Sequence, residues 1–457
     1  MLKRTISILF FMLIALDSVA QITPYTLIAP QRQEVAYLIN QDGDIVHTWE
    51  LRGLTATSAY LLPDGQLVRT VMVDNPPYEA GGRAGAVERI AWDGQVLWKY
   101  EIAGERFHSH HDVEVMPNGN VLVLSWEKLD EAQALAAGRR PDAIPADGVW
   151  AEVVFELKPI GQSEAEVVWQ WRQADHLVQD FDDSKNNFGV IADHPGRVDI
   201  NYIKNPDNPD WVHANALHYN GDLDQIVISA HSFNELWVID HSTTTAEAAG
   251  TSGGKSGKGG DLIYRWGNPA AYDQGTAEDQ KLFSQHDVEW IPRLHPGHGR
   301  LLLFNNGVGR PEGEYSTIEE IIPPINSEGR YELDPSGRYG PASASVVYQA
   351  EVPEDFVATF LSGAQRLRNG NTLITVGPLG QAFEVTPEGE TVWEYDGFGI
   401  ANSIPQIFRI DRYNLSALPP TGMVIDERIS GNWFDPNRDS EGYVIEVLED
   451  GRILLIW

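Results

Sequence analysis

At 457 residues the chain is long enough to bury a sizeable core, and its formal charge of −33 argues against nucleic acid and anionic lipid as partners, since both need concentrated positive charge. The absence of cysteine excludes disulfides, thiolate metal sites and a lipid-anchored cysteine. The 14 Trp, 16 Tyr and 15 Phe, broken by 42 Gly and 27 Pro, call for many short strands joined by tight turns, in one large all-β domain or two to three smaller ones.

The N-terminus reads as a signal peptide over residues 1–20. Lys3 and Arg4 precede an apolar run from Ile6 to Leu16, and Ser18-Val19-Ala20 supplies a small-residue cleavage site before Gln21. The run is too short to favour a membrane span, so a soluble periplasmic or secreted protein is expected. Two units then recur through residues 21–415. One is a turn-centred hairpin before a Trp-bearing strand: NQDGDIVHTWEL (40–51), AWDGQVLWKYEI (91–102) and TPEGETVWEYDG (386–397). The other is a strand, an Asp-Gly or Asn-Gly type of turn and a second strand: SAYLLPDGQLVRTV (58–71), HDVEVMPNGNVLVLS (111–125), HANALHYNGDLDQIVISA (213–230) and GAQRLRNGNTLITVG (363–377). Asp-Gly and Asn-Gly provide the positive φ angles that hairpins need.

Together these units supply about four strands each, with inner strands starting near Ser58, His111, His213, His286, Gly363 and Asn402. Six such units closing in a ring make a six-bladed β-propeller whose first strands line a central channel. Long polar insertions at 126–150, 172–210 and 241–260 interrupt the blades, and the Gly-rich part of the last reads as a flexible linker. Residues 416–457 read as a linker, Leu418-Pro419-Pro420-Thr421-Gly422, and a short C-terminal β extension that either packs on the propeller or belongs to a larger module.

The tetrad His-Asp-Val-Glu occurs twice, at His111 to Glu114 and at His286 to Glu289. With a strand period of two, Asp112 and Asp287 point away from the channel and brace a neighbouring blade, and His110 and Gln285 lie off the His face. In Trp211-Val212-His213-Ala214-Asn215, His213 and Asn215 share a face and can present an imidazole and an amide to one ligand. His111, His213 and His286 occupy equivalent repeat positions, which marks them as the candidate site. His108, His194, His218, His295 and His298 read as structural or surface groups.

These blocks also resemble a family, the bacterial aryl-sulfate sulfotransferases, exported propeller enzymes that move a sulfuryl group between phenols without a nucleotide donor. The likeness runs from about residue 25 to 415. It is carried by HHDVEVMPNGNVLVLSWE, WVHANALHY, GGDLIYRWGNPAAY, LFSQHDVEWIP with LLLFNNGVGR, SGAQRLRNGNTLITVGPLGQAFEVTPEGETVWEY and FRIDRY. The resemblance implies that His286 becomes sulfurylated, that His111 and His213 are its partners and that Asn215 helps hold the sulfuryl oxygens. It implies an aryl sulfate donor, a phenolic acceptor and no cofactor. The family places an arginine on the strand after the His-x-Asn motif, where this chain has His231. Arg366 and Arg409 are the candidates to compensate, and Asn402, at the head of the sixth inner strand, completes the candidate binding set. Two alternatives stand beside this reading: a metal-dependent propeller hydrolase using the three imidazoles, and a non-catalytic propeller that binds sulfated compounds or a protein.

Overall fold

The computed structural model describes residues 23–74, 77–326, 328–397, 406–415 and 418, together with three strands beyond them. The expected signal peptide and Asn402 lie outside these residues. The Asp-Gly and Asn-Gly turns do what their chemistry predicts: Gly65 and Gly119 adopt φ of 81° and 85° and close hairpins in which Leu62 pairs with Gln66 and Met116 with Asn120.

Six four-stranded antiparallel sheets follow one another around a central axis, the architecture of a six-bladed β-propeller. Blade I comprises Thr55–Leu61, Leu67–Met72, Gly85–Ile90 and Val96–Glu101, and blade II Phe107–Val115, Val121–Leu129, Val149–Ile160 and Glu164–Arg172. Blade III is built from Ala214–Asn220, Gln225–Ala230, Glu235–Asp240 and Tyr264–Trp266. Blade IV has His286–Trp290, Leu301–Asn305, Thr317–Ile321 and Ser345–Tyr348, and blade V Gly363–Arg366, Thr372–Val376, Gln381–Val385 and Thr391–Tyr395. Blade VI joins both ends of the ring. Its inner strand Asp411–Leu415 pairs with Thr23–Ile28 in a register running from Thr23 opposite Leu415 to Leu27 opposite Asp411, and Val35–Ile39 and Ile45–Glu50 complete it. The sixth inner strand therefore starts nine residues beyond Asn402, because its pairing partner is the N-terminal strand and not a following hairpin.

Six buried apolar clusters fall one at each junction between neighbouring blades. The largest, between II and III, includes Leu122, Leu124, Trp171, Leu217, Ile228 and Trp237; the others occupy the remaining junctions. The recurrent tryptophan of the outer strand adds a polar clasp: the indole N–H of Trp98 donates to Glu164 O of the next blade, Trp169 to Thr243 Oγ1, Trp266 to Pro341 O and Trp393 to Gln41 O. Trp98 and Trp393 belong to the recurring Trp-bearing hairpins; Trp49, in the third, is buried without such a bond among the described residues.

The insertion at 241–260 departs from the expectation of a flexible linker. Thr244 and Glu247 form a capping box on a one-turn helix, Ser256 N–H and Lys255 N–H bond to Asp240 and Ser242, and Gly260 O accepts the indole N–H of Trp171. Glycine lets this segment fold back on itself: at Gly259 (φ 58°) a Cβ would stand 2.5 Å from Gly250 O. Beyond the ring, Gly431–Phe434, Gly442–Val447 and Ile453–Ile456 form a separate three-stranded antiparallel sheet. Among the described residues no helix is long and apolar enough to cross a membrane.

Candidate active site

The inner strands of blades I to IV share an irregularity at one level of the channel. Their pairing with the second strand breaks between Thr55 and Ala59, Ser109 and Val113, Ala214 and Ala216, and His286 and Glu289. At these breaks, non-glycine residues take left-handed backbone: His111 at φ 48°, His213 at φ 51° and Asp287 at φ 52°. Such conformations cost about 1–3 kcal/mol each and persist where the surroundings enforce them. Here blade I does so for His111, whose carbonyl accepts from Thr57 Oγ1 and from Ser58 Oγ at 3.2 Å.

From the bulges downward, the acids of the two tetrads reach across to the next blade. Asp112 Oδ2 accepts from Leu217 N–H at 3.2 Å and Asp287 Oδ2 from Ala364 N–H at 3.0 Å, each bracing the next blade, while Glu114 and Glu289 repeat the contact on Tyr219 and Arg366. A Cβ on Gly363 would lie 2.1 Å from Asp287 Oδ2, so the approach that makes this brace requires glycine.

Above this layer the histidines meet. The rings of His111 and His213 lie 4.6 Å apart, His213 and His231 5.1 Å, and His231 and His286 5.2 Å. His111 and His286 are buried, 3 % exposed each, whereas His231 and His213, whose side chain is 22 % exposed, are only partly buried and mark the open side of the cluster. Asn215, on the same blade as His213, joins them: Nδ2 donates to Gln285 O of the next blade at 2.8 Å, and Oδ1 has no hydrogen-bond partner among the described residues.

The two arginines do not reach the histidines. Arg366 stands three residues, about 10 Å, down its strand from Gly363, and pairs with Glu320 Oε2 at 3.1 Å and Pro296 O at 3.1 Å. Arg409 lies in the channel at the level of the carboxylates. It binds Asp287 Oδ1 at 2.8 Å, Asp411 at 3.2 Å and Tyr60 Oη at 3.1 Å, so its charge is spent on buried acids. Lys204, on the loop before blade III, is the cation whose charge does reach the cluster, and it lowers the pKa of both His213 and His231.

Three partners of the histidines escape a strand-based reading. Asn306 lies one residue beyond the second strand of blade IV; its Oδ1 is 2.9 Å from His286 Nδ1, and its amide nitrogen donates to Ala358 O and Leu361 O. That orientation makes Oδ1 an acceptor, as is Ser284 O at 3.1 Å, so the proton of His286 sits on Nδ1 and the Nε2 lone pair is free. Asp210 places Oδ2 2.5 Å from His213 Nδ1. The third partner is His110, whose Nδ1 is 2.9 Å from His111 Nδ1 and whose Nε2 is 2.9 Å from Glu152 Oε2. The bulge between Ser109 and Val113 turns His110 toward its neighbour, against the alternation that put it on another face. An Asp three residues before His213, and an Asn just past the strand opposite His286, were the available signals.

The electrostatics separate one cation from several neutral rings. Burial opposes charge on His213, but the charge and hydrogen bond of Asp210 outweigh it and raise its pKa. Burial, joined by the charge of His213, pulls His286 down to about 4 despite its bond to Asn306. Burial and the neighbouring histidines hold His111 and His231 well below the ordinary range. The cluster therefore sets a His286 ring biased toward the neutral form against a His213 ring biased toward the imidazolium, with His231 between them. Among the described residues no group of three or more His, Asp or Glu is placed to hold a metal ion.

A six-bladed propeller that gathers histidines from three blades at the beginnings of its inner strands defines the class: a propeller with its candidate site on the strands around its axis. The arylsulfotransferase (ASST) family model matches residues 25–396, most of the chain, and the protein belongs to that family of sulfotransferase enzymes. No curated protein sequence matches the chain. Solved structures of similar shape include a protein of unknown function from Bacteroides caccae, at 11 % identity over 85 % of this chain and 98 % of that one, with a TM-score of 0.46. Virginiamycin B lyase from Staphylococcus aureus with quinupristin aligns at 11 % identity over 87 % and 94 %, TM-score 0.40. The Swd1 β-propeller domain from Myceliophteria thermophila aligns at 12 % over 80 % of each chain, TM-score 0.37.

Proposed function

We propose that the protein transfers a sulfuryl group from an aryl sulfate to a phenol by double displacement on His286, without a nucleotide donor. The observation that carries this reading is the fixed tautomer of His286: Nδ1–H is held by Asn306 and Ser284, so Nε2 can attack without a base to activate it. In the first step the Nε2–S bond forms as the S–O(aryl) bond breaks and the electron pair leaves with the phenolate. In the second the acceptor oxygen attacks sulfur and the N–S pair returns to Nε2. Sulfuryl transfer, like phosphoryl transfer, has a loose transition state in which charge spreads over the peripheral oxygens, so a preorganised cation is the main catalytic demand. His213, whose imidazolium Asp210 stabilises, meets it with Nε2–H, and Lys204 adds positive potential in a protein that is otherwise strongly acidic. His231 fills the family's arginine position as a neutral ring within 5.2 Å of His286, and His213 carries the charge in its stead.

The test is to mix the protein with nitrophenyl sulfate and a second phenol, and to follow intact mass after a brief exposure to the donor alone. Wild type should release nitrophenol in a phenol-dependent way and carry an acid-labile adduct of one SO3, both lost in His286→Ala. Ligand binding without turnover in either form would overturn the enzyme reading, and turnover abolished by chelator would replace it with a metal-dependent hydrolase. We also infer export to the periplasm or medium through residues 1–20; N-terminal sequencing of the mature protein should begin at Gln21.

A further inference from the structure

The proposed transfer leaves a proton to be moved. A phenolate that departs from sulfur is a strong base unless its ring is electron-poor, and a phenol that attacks must shed its proton. His213 is a poor choice for both tasks if its imidazolium is to stay on the sulfuryl oxygens. His111 faces the same cluster, but a buried neutral imidazole that gives up its Nε2 proton alone becomes an imidazolate.

The structure supplies a way around this. Glu152, His110 and His111 form one line of contacts: Glu152 Oε2 to His110 Nε2 at 2.9 Å, and His110 Nδ1 to His111 Nδ1 at 2.9 Å. Glu152 and His110 are 0 % exposed and His111 3 %. Each member is fixed in place. His110 stacks on Trp126 with ring centroids 4.1 Å apart and planes 10° from parallel, the second oxygen of Glu152 accepts from Ala214 N–H at 2.9 Å, and Glu152 N–H donates to Gln173 Oε1. No hydrogen bond among the described residues engages His111 Nε2, the far end of the line, which abuts Gly82, while the His111 ring stands nearly perpendicular to that of His213 at 4.6 Å.

We propose that Glu152 is the proton store of the reaction, acting through His110 on His111, and this rests on the sulfuryl-transfer reading of the site. At rest the carboxyl O–H of Glu152 donates to His110 Nε2, His110 Nδ1–H donates to His111 Nδ1, and His111 presents Nε2–H. When the S–O(aryl) bond breaks, the Nε2 proton of His111 passes to the phenolate oxygen, that of His110 moves from Nδ1 to His111 Nδ1, and that of Glu152 moves to His110 Nε2. Both imidazoles end neutral, and the negative charge of the leaving group has become the carboxylate of Glu152. The acceptor phenol reverses every step: its proton enters at His111 Nε2 and Glu152 is again a carboxylic acid. Protons and charges balance with no outside acid or base. Burial, then the charge of Asp210, hold the Glu152 carboxyl well above the usual carboxylate range, against the Ala214 hydrogen bond and the His213 charge, which favours the acid form that the proton line starts from. Asp210, His110 and His213 are the titratable groups that face it.

Glu152→Gln tests the store. The amide preserves the shape, can donate to His110 Nε2 and accept from Ala214, but cannot release a proton. Single-turnover sulfurylation is measured with two donors, nitrophenyl sulfate, whose phenolate leaves without a proton, and unsubstituted phenyl sulfate, whose phenolate needs one. With phenyl sulfate the variant should lose about 100-fold, the scale of general acid catalysis, and with nitrophenyl sulfate only about 3-fold or less. His110→Asn cuts the same line at its middle and should show the same selective loss, so a folding defect in one variant does not decide the outcome. Wild-type turnover with equal losses on both donors, or with none, overturns the proton store alone. Absence of any adduct on wild-type His286 overturns the transfer reading and the store with it.

Discussion

Asp210→Asn isolates the contribution of one charge to the site. In the wild type Asp210 Oδ2 accepts from His213 Nδ1 at 2.5 Å, and its other oxygen, Oδ1, is buried without a hydrogen-bond partner among the described residues. An asparagine can keep its carbonyl on Nδ1 and place its amide where Oδ1 stands, so the ring keeps its orientation and the change is electrostatic. The carboxylate is 2 % exposed, which leaves little solvent screening. A hydrogen bond to a charged group contributes about 1.5–3 kcal/mol and a neutral one about 0.5–1.5, so the imidazolium loses about 1–2 kcal/mol. That corresponds to about a 5- to 30-fold fall in kcat/KM at neutral pH. The pH profile is more diagnostic. His213 has a raised pKa, so the cation is present at low pH and is lost as pH rises through that value, which sets the alkaline limb of activity. Without Asp210, burial dominates and the neighbouring cation Lys204 adds to it, so the pKa falls and the alkaline limb moves to lower pH. The assay is kcat/KM for nitrophenyl sulfate across pH. An alkaline limb that stays in place in the variant would refute the assignment of His213 as the cation.

Two further substitutions probe the nucleophile and the packing against His111, with a third as control. Asn306→Ala removes one acceptor from His286 Nδ1–H and the donor shared by Ala358 O and Leu361 O; a stability loss of about 1–3 kcal/mol and a slower nitrophenol burst are expected, read by Tm and stopped flow, and an unchanged burst rate would refute the tautomer argument. Gly82→Ala would set a Cβ 2.0 Å from His111 Nε2 at φ 74°, so kcat should fall by at least about 10-fold with about 1–3 kcal/mol of destabilisation, whereas Gly43→Ala, at φ 85° with nothing within 4 Å, should lose stability and keep its activity.

The ring of blades was legible because its signals are local. Asp-Gly and Asn-Gly turns at fixed offsets, and a tryptophan returning on each outer strand, are short-range patterns that the structure repeats with little change. Closure was not legible at the sixth blade, since pairing Asp411–Leu415 with Thr23–Ile28 is a contact between chain ends that no local pattern encodes. In the site, the meeting of His111, His213 and His286 followed from their repeat positions. The partners did not follow, because alternation fails at the bulges: His110 turns onto His111, and Asp210 reaches His213 from a turn before the strand. Arg366 and Arg409 were drawn toward the site by charge alone. Each is held by carboxylates, Glu320 for one and Asp287 with Asp411 for the other, and these are visible only in three dimensions.

The place of Arg409 also bears on how the molecule matures. It stands two residues before the strand that shuts the ring, and it supplies the counter-charge for Asp287, an acid fixed by a repeat more than a hundred residues earlier. A nascent chain that lacks its last propeller strand would hold Asp287 without that partner, at a site where burial already raises its pKa to about 7. Locking the ring and quieting its axis are thus one event, so an incomplete chain is penalised at the centre of the molecule as well as at its seam.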